Sequence, residues 1–295
     1  MTELLQYVVT GLMTGGLYAM VGLSIVLVYK ATEVVSLAHG ELLGFGALFF
    51  WLFFVALGLP LWLSILVMLA CSALLGFIIE RFAMRPLIGQ SLFSAFFMTV
   101  AVYLMLDGIF ALILKGGAVG WPAFLPAGNI YPGGIRIPLT SLATLGICLS
   151  LFGILAAFFK YTKIGLGMRA TAEDHQLSQS AGINVKWVFL VIWAISAMAA
   201  SIAGVSAGNI MAVHYYLPFF ILMKGLVAAL FGGLDSIPGV LLGGLILGAA
   251  ESVAAGYLDP IVGGGVQEVA AFVFLLVILI VRPYGLFGLV RIERI

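Results

Sequence analysis

The sequence predicts an all-α polytopic membrane protein, a bundle of eight or nine transmembrane helices of which some are broken or re-entrant. Three observations predict it. First, 64% of the 295 residues are apolar and only 8% charged, with a mean hydropathy of +1.25. A soluble domain carries about 25% charged residues because its surface faces water, so most outward-facing side chains here must face lipid. Second, nine apolar segments follow one another, each bounded by charges or by Pro/Gly clusters. Third, the basic residues crowd onto alternate connections, as they do in chains that obey the positive-inside rule.

Taken in order, the first segment covers 4–28 and ends at Lys30. The opening Met1-Thr2-Glu3 lacks the basic start of a cleaved signal, so this run is expected to be retained as a span. The second covers 37–58. The third, 61–79, ends at Glu80, Arg81 and Arg85, and the fourth covers 92–114. Residues 115–138 then read GWPAFLPAGNIYPGG in their centre, a composition for turns rather than helix. The fifth segment, 139–159, leads into the long polar stretch 160–186. The sixth covers 187–211. Segments 219–234 and 240–257 are joined by the tight link Asp235-Ser236-Ile237-Pro238, and the ninth, 266–281, ends at Arg282-Pro283. The 219–234 segment is short enough to be re-entrant.

Nine spans with an external N-terminus put Lys30, Arg81, Arg85, Lys160, Lys163, Arg169, Lys186, Arg282, Arg291 and Arg294 on the cytoplasmic side. Only Lys115 and Arg136 then lie outside. The expected arrangement is one permease-like domain over residues 1–295, with a cytoplasmic loop at 160–186, an external loop at 115–138 and a cytoplasmic C-terminus. Glycines recur at four-residue spacing (Gly11/Gly15, Gly40/Gly44, Gly204/Gly208, Gly239/Gly243, Gly244/Gly248), a pattern that lets helix backbones approach closely in lipid.

The polar stretch carries helix punctuation. Thr171 can cap a helix start, with Asp174 three residues later reaching back, and Glu173 and Asp174 suit the positive end of a helix dipole. Gly182 supplies a left-handed stop. A helix over 171–182 is expected, with Ala172, Leu177 and Ala181 on one apolar stripe. Ten or so residues are too few for a helix to persist alone in water, so this one either docks on a partner or lies on the membrane.

Charges inside apolar segments are expensive and are usually functional. They are His39, Glu41, Asp107, Lys224, Glu251 and Glu268. His39 and Glu41, opening the second segment, are expected near the cytoplasmic boundary as anchors or partners of Lys30. Lys224 either snorkels outward or pairs with Glu251. His39, Glu41, Lys224 and Glu251 are the candidate residues of a translocation path or buried polar core.

Several function classes are excluded. Net charge is +1, which gives no field for nucleic acid. His39, His175 and His214 are far apart in sequence and none belongs to H-E-x-x-H, so a zinc protease and a metal site are not expected. No Gly-x-Ser-x-Gly nucleophile motif and no Walker A sequence is present. Cys71 and Cys148 lie in apolar runs as core filler. The chain is therefore expected not to be an enzyme. A stand-alone secondary transporter or channel for a small polar solute remains as the alternative to a subunit of a larger transport machine.

The run Gly165-x-Gly167-x-Arg169-Ala170-x-Ala172-Glu173-Asp174, followed by Ala181-Gly182-Ile183-Asn184, resembles the coupling loop of branched-chain amino acid ABC importer permeases. These are the LivH type of the hydrophobic amino acid uptake family. Gly15-Gly16-Leu17-Tyr18-Ala19, Leu37-Ala38-His39-Gly40-Glu41, Arg85-Pro86-Leu87, Gly232-Gly233 with Ser236-Ile237-Pro238-Gly239, Gly248 with Glu251, and Arg282-Pro283-Tyr284-Gly285-Leu286-Phe287-Gly288 are similar to that family as well. Asp235 departs from it, standing where a small residue is expected. The resemblance covers essentially the whole chain. It implies an import permease in a bacterial inner membrane, with two cytoplasmic ATP-binding subunits, a second related permease subunit and a periplasmic substrate-binding protein. ATP and Mg would be bound on partner subunits, with no cofactor in this chain. Arg169, Ala170, Thr171, Ala172, Glu173, Asp174, Ala181 and Gly182 would contact the ATPase. Leucine, isoleucine and valine are the cargo it implies, with amides, urea or small aromatic acids as alternatives.

Overall fold

A computed structural model of the chain describes residues 2–173, 178, 180–282 and 285–288. The nine apolar segments are nine helices. Seven are long and apolar enough to cross a membrane and two are shorter. We label the helices α1 (Thr2–Thr32), α2 (His39–Trp51, continued by a π turn Leu52–Ala56), α3 (Leu61–Ile78, continued through a π turn to Met84), α4 (Leu92–Leu114), α5 (Leu139–Tyr161), α6 (Lys163–Glu173), α7 (Val185–Ile210), α8 (Leu217–Gly232), α9 (Ile237–Val262) and α10 (Val266–Val281).

Helix α1 is the axis of the bundle. It packs against α5, α7, α8 and α9, and from Gly15 to Val28 every residue is buried. A helix apolar all round is one buried all round, which fits the absence of charge between Glu3 and Lys30. Its closest neighbour is α9. Gly11 and Gly15 face Gly248 and Gly244, backbone against backbone, so a Cβ at any of the four would strike the opposite main chain. The four-residue spacing thus builds a helix–helix seam without side chains between.

The outer helices show the opposite pattern. Helix α3 buries only Ser64, Met68, Ser72 and Gly76, and α4 buries Ala95, Thr99, Val102, Leu106, Phe110 and Leu114. These are stripes at spacings of three and four, while Leu104, Leu112, Leu66 and Ile154 stand exposed as on lipid-facing helices. Helix α3 packs on α2 and α7, α4 on α2, and α10 on α8 and α9.

Helix α2 starts in the interior. After α1 ends, residues 33–38 are non-helical, and the Leu37 amide bonds the hydroxyl of Thr99 on α4 at 3.4 Å. Thr99 lies about 10 Å along α4 from its first residue, Leu92. Irregular backbone at membrane depth is tolerated only inside protein or along a cavity. His39, Gly40 and Glu41 are all buried.

The 115–138 connection is more ordered than its composition suggests. Ala118–Val119 pairs antiparallel with Val213–His214, and Asn129–Ile130 with Ile137–Pro138. Gln6 clamps the loop to α1 through both amide atoms, donating to the Arg136 carbonyl at 2.8 Å and accepting from the Arg136 amide at 2.7 Å. At the other end of the bundle, Ser236 caps α9 by accepting from the Gly239 amide at 3.1 Å. The Leu286 and Phe287 amides bond the last carbonyls of α8.

Candidate functional site

The polar stretch differs from its sequence reading at its start. The helix begins at Lys163, where the Thr162 hydroxyl accepts from the Gly165 amide at 2.9 Å. Thr171 therefore does not cap. It lies in the last turn of α6, fully buried, its hydroxyl donating to the Gly167 carbonyl at 2.8 Å. Thr162 meets the cap requirement equally well. Packing chose between them, because Gly165 lies directly on the backbone of Phe159, and Met168 and Thr171 turn inward. Helix α6 rests on α1, α5 and α7, with Arg169 exposed and Ala170 half-buried.

Ala172 and Glu173 are helical in backbone, whereas Asp174 and Leu177 lie outside the described residues. The stop is as expected. Gly182 has φ +85°, and the Ile183 amide bonds the Ser178 carbonyl at 2.9 Å, the closure of a left-handed helix end. Ala181 precedes it in the turn. Asn184 then caps α7 by accepting from the Trp187 amide at 3.1 Å.

Lys224 and Glu251 form a buried pair, Nζ to Oε1 at 2.7 Å, so Lys224 does not snorkel. The Tyr18 hydroxyl donates to the other Glu251 oxygen at 3.1 Å, and Lys224 also donates to the Gln267 carbonyl at 3.0 Å. Four helices, α1, α8, α9 and α10, are thereby joined at one point. Beside it a cavity of about 320 Å³ opens, lined by Tyr7, Thr10, Thr14, Ser252, Asp259 and Gln267 among others. Asp259 accepts from the Val266 amide at 2.9 Å, holding the turn between α9 and α10.

His39 and Glu41 are not boundary anchors, and Lys30 is not the partner of His39. The His39 ring is fully buried, shares a 3.1 Å hydrogen bond with Ser196 of α7, and lies 5.5 Å from the Trp193 ring. Glu41 is 1% exposed, and neither carboxylate oxygen has a hydrogen-bond partner. Its electrostatic neighbours are Asp107 and Tyr103 on α4. Asp107 in turn accepts from the Tyr215 hydroxyl at 2.8 Å.

The site residues thus fall into three places: the α6 end, the Lys224–Glu251 junction and the α2 start. They do not converge. Sequence reasoning missed Tyr18, which sits midway along α1 with nothing in its own apolar segment to mark it, and Tyr215, because tyrosines near helix ends ordinarily mark the membrane interface.

A bundle of apolar helices, seven of them long enough to cross a membrane and several tied by a buried ion pair, defines a polytopic membrane protein. The chain belongs to the branched-chain amino acid transport system permease component family, whose model matches residues 7–282. It is 28% identical to the high-affinity branched-chain amino acid transport system permease protein LivH of Salmonella typhimurium, over 99% of this chain and 97% of that one. It is 29% identical to the corresponding protein BraD of Pseudomonas aeruginosa, over 99% and 98%. Among solved structures it is similar to PsaBC from Streptococcus pneumoniae in complex with Fab, at 16% identity and TM-score 0.45 over 94% of this chain and 89% of that one.

Proposed function

We propose that this chain is the membrane-spanning permease subunit of an ATP-binding-cassette importer for branched-chain amino acids. Family membership over residues 7–282 carries this reading, and relatives named for branched-chain amino acid transport supply the cargo. In this reading the chain forms part of the translocation path with a second, related permease subunit. A periplasmic binding protein delivers cargo at the face holding the 115–138 loop. Two cytoplasmic ATP-binding subunits, carrying ATP and Mg, engage the face holding α6. The basic residues at the α6 end of the bundle support that orientation through the positive-inside rule. The chain is a single permease domain of a bacterial inner membrane, and hydrolysis belongs to the partners.

The coupling role rests on α6 and the Gly182 turn. Helix α6 follows α5 with only Thr162 between them and packs on three spans, so a push on this segment is delivered to the bundle rather than absorbed in a loop. Arg169, Ala170, Thr171, Ala172, Glu173, Asp174, Ala181 and Gly182 belong to this unit. Thr171 acts from within it as a packing residue. Coupling requires such a rigid element with two positions that ATP binding biases.

The test is leucine uptake into vesicles containing this chain, its partner permease and both ATPases, with binding protein outside and ATP inside. Uptake that needs all components is expected. Proton- or sodium-driven uptake by this chain alone would identify a secondary transporter instead, and a binding protein stabilised by amides, urea or aromatic acids but not by leucine would replace the cargo.

A further inference from the structure

Three carboxylates among the described residues are fully buried: Glu41, Glu80 and Glu251. Two of them have a cation from this chain. Glu80 takes both Nε and Nη2 of Arg85, at 3.0 and 2.9 Å, and Glu251 takes Lys224. Glu41 has none. Its two oxygens are without hydrogen-bond partners, and the charged group that faces it is a second acid, Asp107. A buried carboxylate without a partner is strongly unfavourable, and a neighbouring acid makes it more so.

Tyr103 and Asp107, four residues apart, occupy one flank of α4 and are only half-buried. Asp107 lies about 10 Å short of the helix end at Leu114, within the depth where an acid facing lipid is costly. Tyr215 reaches it from the turn before α8 and fixes one carboxylate oxygen with its hydroxyl. That bond uses one of the acceptor positions of Asp107 and leaves the phenol oxygen free to accept. Exposed aromatic side chains of Tyr216, Phe219 and Phe220 follow along the same turn and the start of α8. Asp107 and Tyr215 are therefore partly open at the side of the bundle with Glu41 sealed beneath them, and the group is rich in acceptors, bordered by apolar rings, and lacks a donor cation.

Taking the importer reading above as its premise, we propose that Glu41, Asp107 and the Tyr215 hydroxyl form a primary-ammonium site on a path-facing wall, which takes the ammonium group of the cargo amino acid. An ammonium offers three N–H donors and one positive charge, matching two carboxylates and a phenol oxygen. The aromatic rim provides the apolar contact an aliphatic side chain requires. A phosphatidylethanolamine headgroup carries the same ammonium, so the experiment separates the two sources.

The complete transporter is reconstituted in phosphatidylcholine/phosphatidylglycerol vesicles that contain no phosphatidylethanolamine, and leucine uptake is followed with saturating binding protein. Glu41→Gln and Asp107→Asn are each expected to lower uptake at least tenfold while the complex still assembles with both ATPases at the parent's yield and elution volume. Both variants transporting at more than half the parent rate would overturn the site. So would restoration of a wild-type defect by added phosphatidylethanolamine, which assigns the ammonium to lipid. A second arm needs no transport. Asp107→Cys in a Cys71→Ala/Cys148→Ala background is treated in the assembled complex with a membrane-impermeant cationic thiosulfonate. Rapid labelling, slowed by leucine-loaded binding protein and ATP, is expected. Labelling only after denaturation would show a face sealed by lipid or protein and would overturn the site even if the transporter is otherwise as proposed. ATP-independent uptake would defeat the importer reading instead, with the labelling arm still deciding this one.

Discussion

Removing Lys224 isolates the energetics of the four-helix junction. In Lys224→Met the apolar stem is kept and the ammonium lost, so Glu251 remains at 1% exposure with no cation and only the neutral Tyr18 hydroxyl and Gln267 side chain beside it. Breaking a buried ion pair from one side costs about 3–5 kcal/mol. The surviving Tyr18 bond places this case near the lower end. The change also removes the bond to the Gln267 carbonyl, and with it the tie between α8 and α10. In Glu251→Gln the ammonium keeps that carbonyl and the Tyr18 ring, 6.0 Å away, so its loss should be smaller. The double variant should recover part of the difference, because a neutral pair of similar volume leaves no isolated charge. At about 2 °C per kcal/mol for a chain of this size, Lys224→Met should melt roughly 6 °C below the parent in detergent, read by tryptophan fluorescence. The double variant should lie between the two. A Lys224→Met midpoint within about 1 °C of the parent, with unchanged helix content, would refute the view that the pair ties the bundle together.

Other expectations concern backbone and coupling. Gly248→Leu inserts a side chain where α1 and α9 touch main chain to main chain, and should abolish stable expression, whereas Gly108→Leu, with open space around it, should express normally. Thr162→Val removes the α6 cap and should destabilise that helix by about 1 kcal/mol, detected as faster amide exchange over 163–173 with the spans unaffected. Gly182→Pro cannot adopt φ +85°. It is expected to leave membrane insertion intact but to lose ATPase pull-down and ATP-driven uptake. Glu173→Lys, a charge reversal in the same segment, should behave likewise, and normal transport by both variants would remove the coupling role.

Much of the fold was legible because length, apolarity and flanking charge act locally. Residues 92–114 and 266–281 match α4 and α10 end for end, and the other apolar helices shift only at their termini, whereas α6 starts eight residues before the expected 171. What escaped was set by contacts between distant residues. Thr162 and Thr171 are both competent caps, and only the fit of Gly165 against Phe159 decides for the first. His39-Gly40-Glu41 opens an apolar run and so looks like a surface edge; its burial follows from a bond to Thr99, 62 residues away from Leu37. The Lys224–Glu251 pair was readable as one of two options, since the charges lie on consecutive apolar segments. The Asp107–Tyr215 bond spans 108 residues with no periodic trace.

The glycine seam between α1 and α9 constrains how this protein can move. Side chains that interdigitate can slide by changing rotamer, but two main chains in direct contact have no such play. With Tyr18 of α1 fastened to Glu251 of α9 beside the seam, these two helices form a keel that carries load and does not flex. Any opening of a path must then be borne by elements hung on that keel: α3 and α4, each held by a single buried stripe, and the non-helical turn at 33–38 where α2 leaves α1.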